Sequence, residues 1–163
     1  MIARKSRFIL PFLPLMLSGF VIRYNVEHSS IVQQLFAQQQ KLYSAGARNF
    51  LFIDVPPIHR TPAGRELESG SSYEAFNFQL HIHARAFAAA RADATVMLFS
   101  SWSTFSSFLD DPEAYGFKGS DLCEIGGAIW YDHLHPTSKV HDIVAKDLAE
   151  FVRTVPKYEV VES

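Results

Sequence analysis

Cysteine is almost missing from this sequence: Cys123 stands alone, so no disulfide can close within the chain, and cysteine usage gives no sign of an oxidising compartment. Nothing around Cys123 resembles a catalytic-cysteine signature, and a buried or neutral thiol is the expected state. An excess of one charge is missing too. With 15 Lys and Arg against 17 Asp and Glu, a formal net charge of −2 and a pI near 6.4, the chain has no general attraction for nucleic acid or an anionic membrane. No internal repeat, low-complexity tract or linker interrupts it, so one domain is expected.

What is present suits a folded core. In 163 residues, 48% are hydrophobic and 20% charged, enough apolar surface for a modest single unit. Residues 1–25 differ in character, because Arg4, Lys5 and Arg7 precede an apolar run from Phe8 to Ile22 that Pro11 and Pro14 break. That run falls short of the roughly 20 residues a spanning helix needs, so no stable membrane span is expected. A basic end followed by a short apolar stretch resembles a secretion signal, which would make the protein secreted. Two other readings stay open: a buried strand over Leu15–Tyr24, or a substitute start on a shortened chain.

Further on, Ile31, Leu35 and Leu42 recur at helical spacing between Glu27 and Ala45, with Ser29 or Ser30 as the expected cap and Gly46 as the stop. The run Asn49 to Val55 is continuously apolar and ends at Pro56-Pro57, which predicts a parallel strand covered on both faces. A polar surface loop is expected over Ile58–Ser72, then a helix over Ser72–Asp93 with Phe76, Leu80 and Phe87 inward. Thr95–Phe99 reads as a second strand and Ser103–Leu109 as a short helix. After an irregular stretch, a last helix is predicted over Pro136–Val155, with Val140, Ile143, Val144, Leu148 and Phe151 on one face. Helix, strand, helix, strand, helix is the order of a parallel α/β layer fold.

The residues with chemical promise are Asp132 and His135, three apart just before that last helix. Such a turn can place both side chains in one cleft at the carboxyl edge of a parallel sheet. There His135 would take a proton from a hydroxyl and return it to a leaving alcohol, while Asp132 holds the imidazole. Spacing alone is weak support, because a capping Asp followed by a surface His occurs often. Other histidines carry less. His133, His135 and His141 match no zinc spacing, so neither metal nor cofactor is expected. His81 and His83 do not share a helix face and are expected to be solvated. The serines from Ser100 to Ser107 are expected to cap and bond within loops rather than act as nucleophiles. Trp102 and Trp130 can either line a sugar-sized cleft or pack into the core.

Context sharpens the pair. The segment Trp130-Tyr131-Asp132-His133-Leu134-His135-Pro136-Thr137 resembles the last conserved block of SGNH/GDSL hydrolases. Residues 50–57, 73–80 and 109–117 are similar to fungal GDSL-type esterases, including acetyl esterases of plant cell-wall carbohydrate. The resemblance runs from about residue 27 to 154. It implies a truncated flavodoxin-like three-layer fold, residues 26–163 being its C-terminal part, and a cofactor-free ester hydrolase acting through an acyl-serine. It also implies that Asp132 and His135 are catalytic and that the substrate is a small acyl ester or acetylated carbohydrate.

One departure matters: the sequence contains no Gly-Asp-Ser and no Gly-x-Asn-Asp, and Gly119-Ser120-Asp121 has the wrong order and place. The nucleophile and oxyanion blocks that the resemblance calls for are therefore not in this chain. The alternative is a non-catalytic chain, a pseudoenzyme holding carbohydrate through aromatic residues or a fragment. An uncovered sheet edge would then favour self-association.

Overall fold

The computed structural model describes residues 8–9, 28–66 and 70–155. In chain order the elements are β1 (Phe8–Ile9), α1 (His28–Ser44), β2 (Asn49–Ile53), α2 (Ser71–Ala89), β3 (Thr95–Phe99), α3 (Ser101–Asp110) and α4 (Ser138–Thr154). Short 3-10 turns at Ile58–Arg60 and Gly64–Glu66 divide the loop after β2. Two more, Glu113–Tyr115 and Gly119–Leu122, lie between α3 and α4.

The sheet is parallel, in the order β1-β2-β3, with Asn49 opposite Thr95 and Ile53 opposite Phe99. Side chains along β2 alternate between two apolar layers, which is why its sequence is apolar throughout. Phe50 and Phe52 face Val32 and Phe36 of α1 and Tyr73, Phe76, Leu80, Ala84 and Phe87 of α2. Leu51 faces the other way, with Met97 and Phe99 of β3, against Val144, Leu148 and Phe151 of α4. The result is an α/β fold of three layers with a C-terminal helix. Aromatic rings tie the first interface, Phe36 stacked on Phe52 at 4.8 Å and Phe87 edge-on to Phe50 at 5.0 Å, each such pair contributing about 0.5–1.5 kcal/mol beyond its burial.

A third cluster has a local task. Phe105, Phe108 and Leu109 of α3 pack with Phe117, Ile129, Trp130 and Val140, forming an apolar footing beneath the turn that leads into α4.

Several boundaries differ from the sequence reading, each for a local reason. Phe8–Ile9 pairs with β2, a third strand that the basic-then-apolar pattern of residues 1–25 does not single out. The possible strand at Leu15–Tyr24 lies outside the described residues. Among those residues α1 starts at His28, which places Ser29 and Ser30 inside its first turn rather than before it. Helix α3 begins two residues early, because the Ser100 hydroxyl accepts the Ser103 N–H at 3.1 Å and caps it. Helix α4 begins at Ser138, with Pro136 and Thr137 ahead of it, since Thr137 Oγ1 is turned back to the Ala128 carbonyl at 2.7 Å. Cys123, expected as a buried or neutral thiol, is exposed.

Candidate active site

Strands β2 and β3 end side by side, and the segments that follow them build the carboxyl edge of the sheet. Asp54, just past β2, is 3% exposed, and its Oδ1 accepts the Trp102 N–H at 2.9 Å and the Ser101 hydroxyl at 3.1 Å. A carboxylate at the first turn of α3 is favourably placed against the helix dipole. The Ser101 hydroxyl also donates to the Asp54 carbonyl, so it is a strut and no nucleophile. One residue on, Asn77 of α2 donates to the Val55 carbonyl at 2.8 Å and accepts the Val55 N–H at 2.9 Å. Asn77 thereby satisfies both backbone groups at a point where the ladder has ended.

The loop that follows folds back over this edge. Thr61 Oγ1 donates to the Ile58 carbonyl at 2.9 Å and accepts the Gly64 N–H at 3.0 Å. A Cβ at Gly64 would stand 2.0 Å from that carbonyl, so only glycine permits the approach. The Ala63 N–H then donates to the His133 carbonyl at 2.8 Å and fastens this loop to the turn before α4.

That turn brings Asp132 and His135 into contact. Asp132 Oδ1 accepts the His135 N–H at 2.7 Å and the Leu134 N–H at 2.8 Å, and Oδ2 meets His135 Nδ1 at 2.8 Å. The spacing of three is thus what a single aspartate needs to close a turn with one oxygen and hold the ring with the other. Below, Tyr131 N–H donates to the His135 carbonyl and Thr137 N–H to the Ile129 carbonyl, both at 2.8 Å, while Trp130 Nε1 donates to the Leu122 carbonyl at 3.1 Å.

The electrostatics follow. Two backbone N–H groups and then the imidazole hold the Asp132 carboxyl far below the usual carboxylate range, so it is ionised at neutral pH. An ionised carboxylate only accepts, so the neutral imidazole carries its proton on Nδ1. Its Nε2 lone pair is then the basic one. Nε2 is buried and has no hydrogen-bond partner among the described residues. Five other buried side-chain atoms among the described residues share that state, and what sets this one apart is the carboxylate that holds its ring.

His81 and His83, expected to be solvated, are only partly so: His81 Nε2 is buried 3.6 Å from Asp54 Oδ2, and the His83 ring stacks on Phe36 at 5.6 Å. Trp130 is core, 1% exposed, whereas Trp102 is half-buried and lies 5.4 Å from the His59 ring. Asn77, His59 and Asp54 escaped the sequence reading. Asn77 alone left a trace there, as a polar residue on the otherwise apolar stripe of α2.

No protein-family model matches the chain. Among proteins of known name, it is 31% identical over 129 residues to an acetylesterase of Thermothelomyces thermophilus, covering 74% of this chain and 43% of that protein. It is 24% identical over 147 residues to a GDSL esterase/lipase of Arabidopsis thaliana, covering 71% and 36%. A third relative is the anther-specific proline-rich protein APG of Brassica napus, 25% identical over 139 residues, with 68% and 31% covered. Two of the three are esterases by name. The chain spans less than half the length of each of these relatives. The likeness is distant and partial, and its direction is toward esterases of the GDSL class.

Proposed function

We propose that this chain carries the acid–base half of a serine ester hydrolase of the SGNH/GDSL type. The observation that carries the reading is the state of one ring: Nδ1 is tied to an ionised carboxylate, and Nε2 is buried with no partner among the described residues. A serine hydroxyl within reach of Nε2 would lose its proton as it attacks an acyl carbonyl. The same nitrogen would return the proton to the departing alcohol. Asp132 fixes the tautomer and stabilises the imidazolium that forms between the two transfers. The acetylesterase likeness supports a short acyl group, and an acetylated carbohydrate is the proposed substrate. An extracellular location fits the basic-then-apolar residues 1–25.

A second reading has its own observation: among the described residues no serine meets Nε2, and the sequence holds no Gly-Asp-Ser. On that reading the chain by itself binds without turnover. Hydrolysis of p-nitrophenyl acetate separates the two, using the chain, its His135→Ala variant and both joined behind a Gly-Asp-Ser-bearing segment of a related esterase. Turnover in the joined protein that depends on His135 supports the enzyme. Turnover indifferent to His135→Ala, or none with a well-folded product, overturns it.

A further inference from the structure

Beside the dyad turn lies a cavity of about 310 Å³ that the proton chemistry does not use, lined by His59, Arg60, Arg65, Leu109 and Leu122. Two hydrogen bonds set it next to the dyad. Ala63, in the loop carrying His59 and Arg65, is bonded to His133, and the Leu122 carbonyl that receives Trp130 Nε1 also receives an Arg65 N–H at 3.3 Å. Its volume is at the small end of ligand sites, about the size for one sugar ring.

The charges in it are unequal. Arg60 is paired with Asp110 at 2.7 Å. Arg65, exposed at the mouth, donates to the neutral Leu122 carbonyl, and among the described residues no ion pair engages it. A guanidinium presents five donors in a planar fork that matches both oxygens of a carboxylate. The remaining walls are apolar or flat. Leu109 and Leu122 flank the space, and the His59 ring, 5.4 Å from Trp102, lines it as well.

We infer that this cavity is a subsite for a carboxylate-bearing sugar unit of the substrate, with Arg65 recognising the acid. The inference rests on the ester-hydrolase reading for its placement, not for its binding chemistry. Its test is calorimetric titration of the whole chain with glucuronate and with glucose, for the wild type, Arg65→Gln and Arg65→Lys, each checked by thermal melting. Glucuronate should bind about tenfold or more tighter than glucose, the worth of one charge-assisted pair. Arg65→Gln should abolish that preference and Arg65→Lys restore part of it. Equal affinity for the two sugars, no binding of either, or a preference that survives Arg65→Gln overturns the subsite. Failure of the hydrolase reading would look different: the preference would persist in a protein whose ester turnover ignores His135.

Discussion

The two ends of the sheet use similar residues to opposite effect. At the amino end Asp93 accepts the Tyr43 hydroxyl at 2.6 Å and Arg48 Nε at 2.7 Å, and Arg48 spends further donors on the carbonyls of Tyr43 and Ala47. Its guanidinium lies 4.3 Å from the Tyr43 ring, so charge, dipole and ring faces are all engaged. At the carboxyl end Asp132 is equally engaged, yet it passes its hold to a histidine whose far nitrogen has no partner among the described residues. Among the described residues His59 Nδ1 and His81 Nε2 are likewise buried there without a hydrogen bond; at the amino end Arg91 Nε also lacks one, but its guanidinium lies over the Phe87 and Tyr43 rings. A polar cluster that closes on itself fixes structure, and one that ends in a buried open valence is built to meet something else.

That contrast breaks most visibly at His135. In the serine-bearing joined protein, His135→Ala should lower kcat/KM on the order of 10⁴-fold or more and leave the melting temperature almost unmoved. Asp132→Asn should come close behind in activity, at roughly 10³–10⁴-fold, because the amide keeps an acceptor for the turn but lets the ring take the wrong tautomer. A large fall in melting temperature for His135→Ala, with proportionate loss of activity, would mean that this turn is ordinary scaffold.

Asn77 is the converse case. Truncating it to alanine strips partners from the Val55 N–H and carbonyl together, and chemical denaturation should show a loss of about 2–4 kcal/mol. Because Asn77 bonds backbone and not the dyad, KM and kcat of the folded fraction should hold. A stability change under about 0.5 kcal/mol would show that water replaces the amide there without cost.

How much of this was readable in the chain depends on how local the cause is. Strand β3 and the inner face of α2 follow from periodicity, and Asp132 with His135 from a three-residue spacing that one aspartate can bridge unaided. His81 defeated the reading because its environment is set by Asp54, 27 positions away in the sequence, and spacing within α2 cannot report that. Arg65 looked like loop polarity for the same reason. What singles it out is its bond to the Leu122 carbonyl, 57 positions away, a fact of tertiary placement. The Asn77 stripe position was the one nonlocal feature with a local trace, since a buried polar residue within an apolar face needs a partner somewhere.

The smallest expected effect concerns acid. The Asp93 and Asp132 carboxyls are both held below the usual carboxylate range, Asp93 first by the Tyr43 hydroxyl and Asp132 first by backbone N–H groups. A group with a depressed native pKa stabilises the fold at pH values above its unfolded pKa, about 3.9 for aspartate, and loses that contribution as pH falls toward the native value. Melting temperature should therefore drop below about pH 4, and either Asp→Asn variant should flatten part of the drop. Alkali separates the two ends. The Asp93 partnership also holds the Tyr43 phenol above its ordinary pKa, so its contribution fades as pH rises through the native value. Asp93→Asn should free that phenol to ionise nearer its usual pH in an ultraviolet titration, and Asp132→Asn should leave it alone. If both variants shift the phenol alike, the two clusters are coupled through the sheet and the closed end is less self-contained than its hydrogen bonds imply.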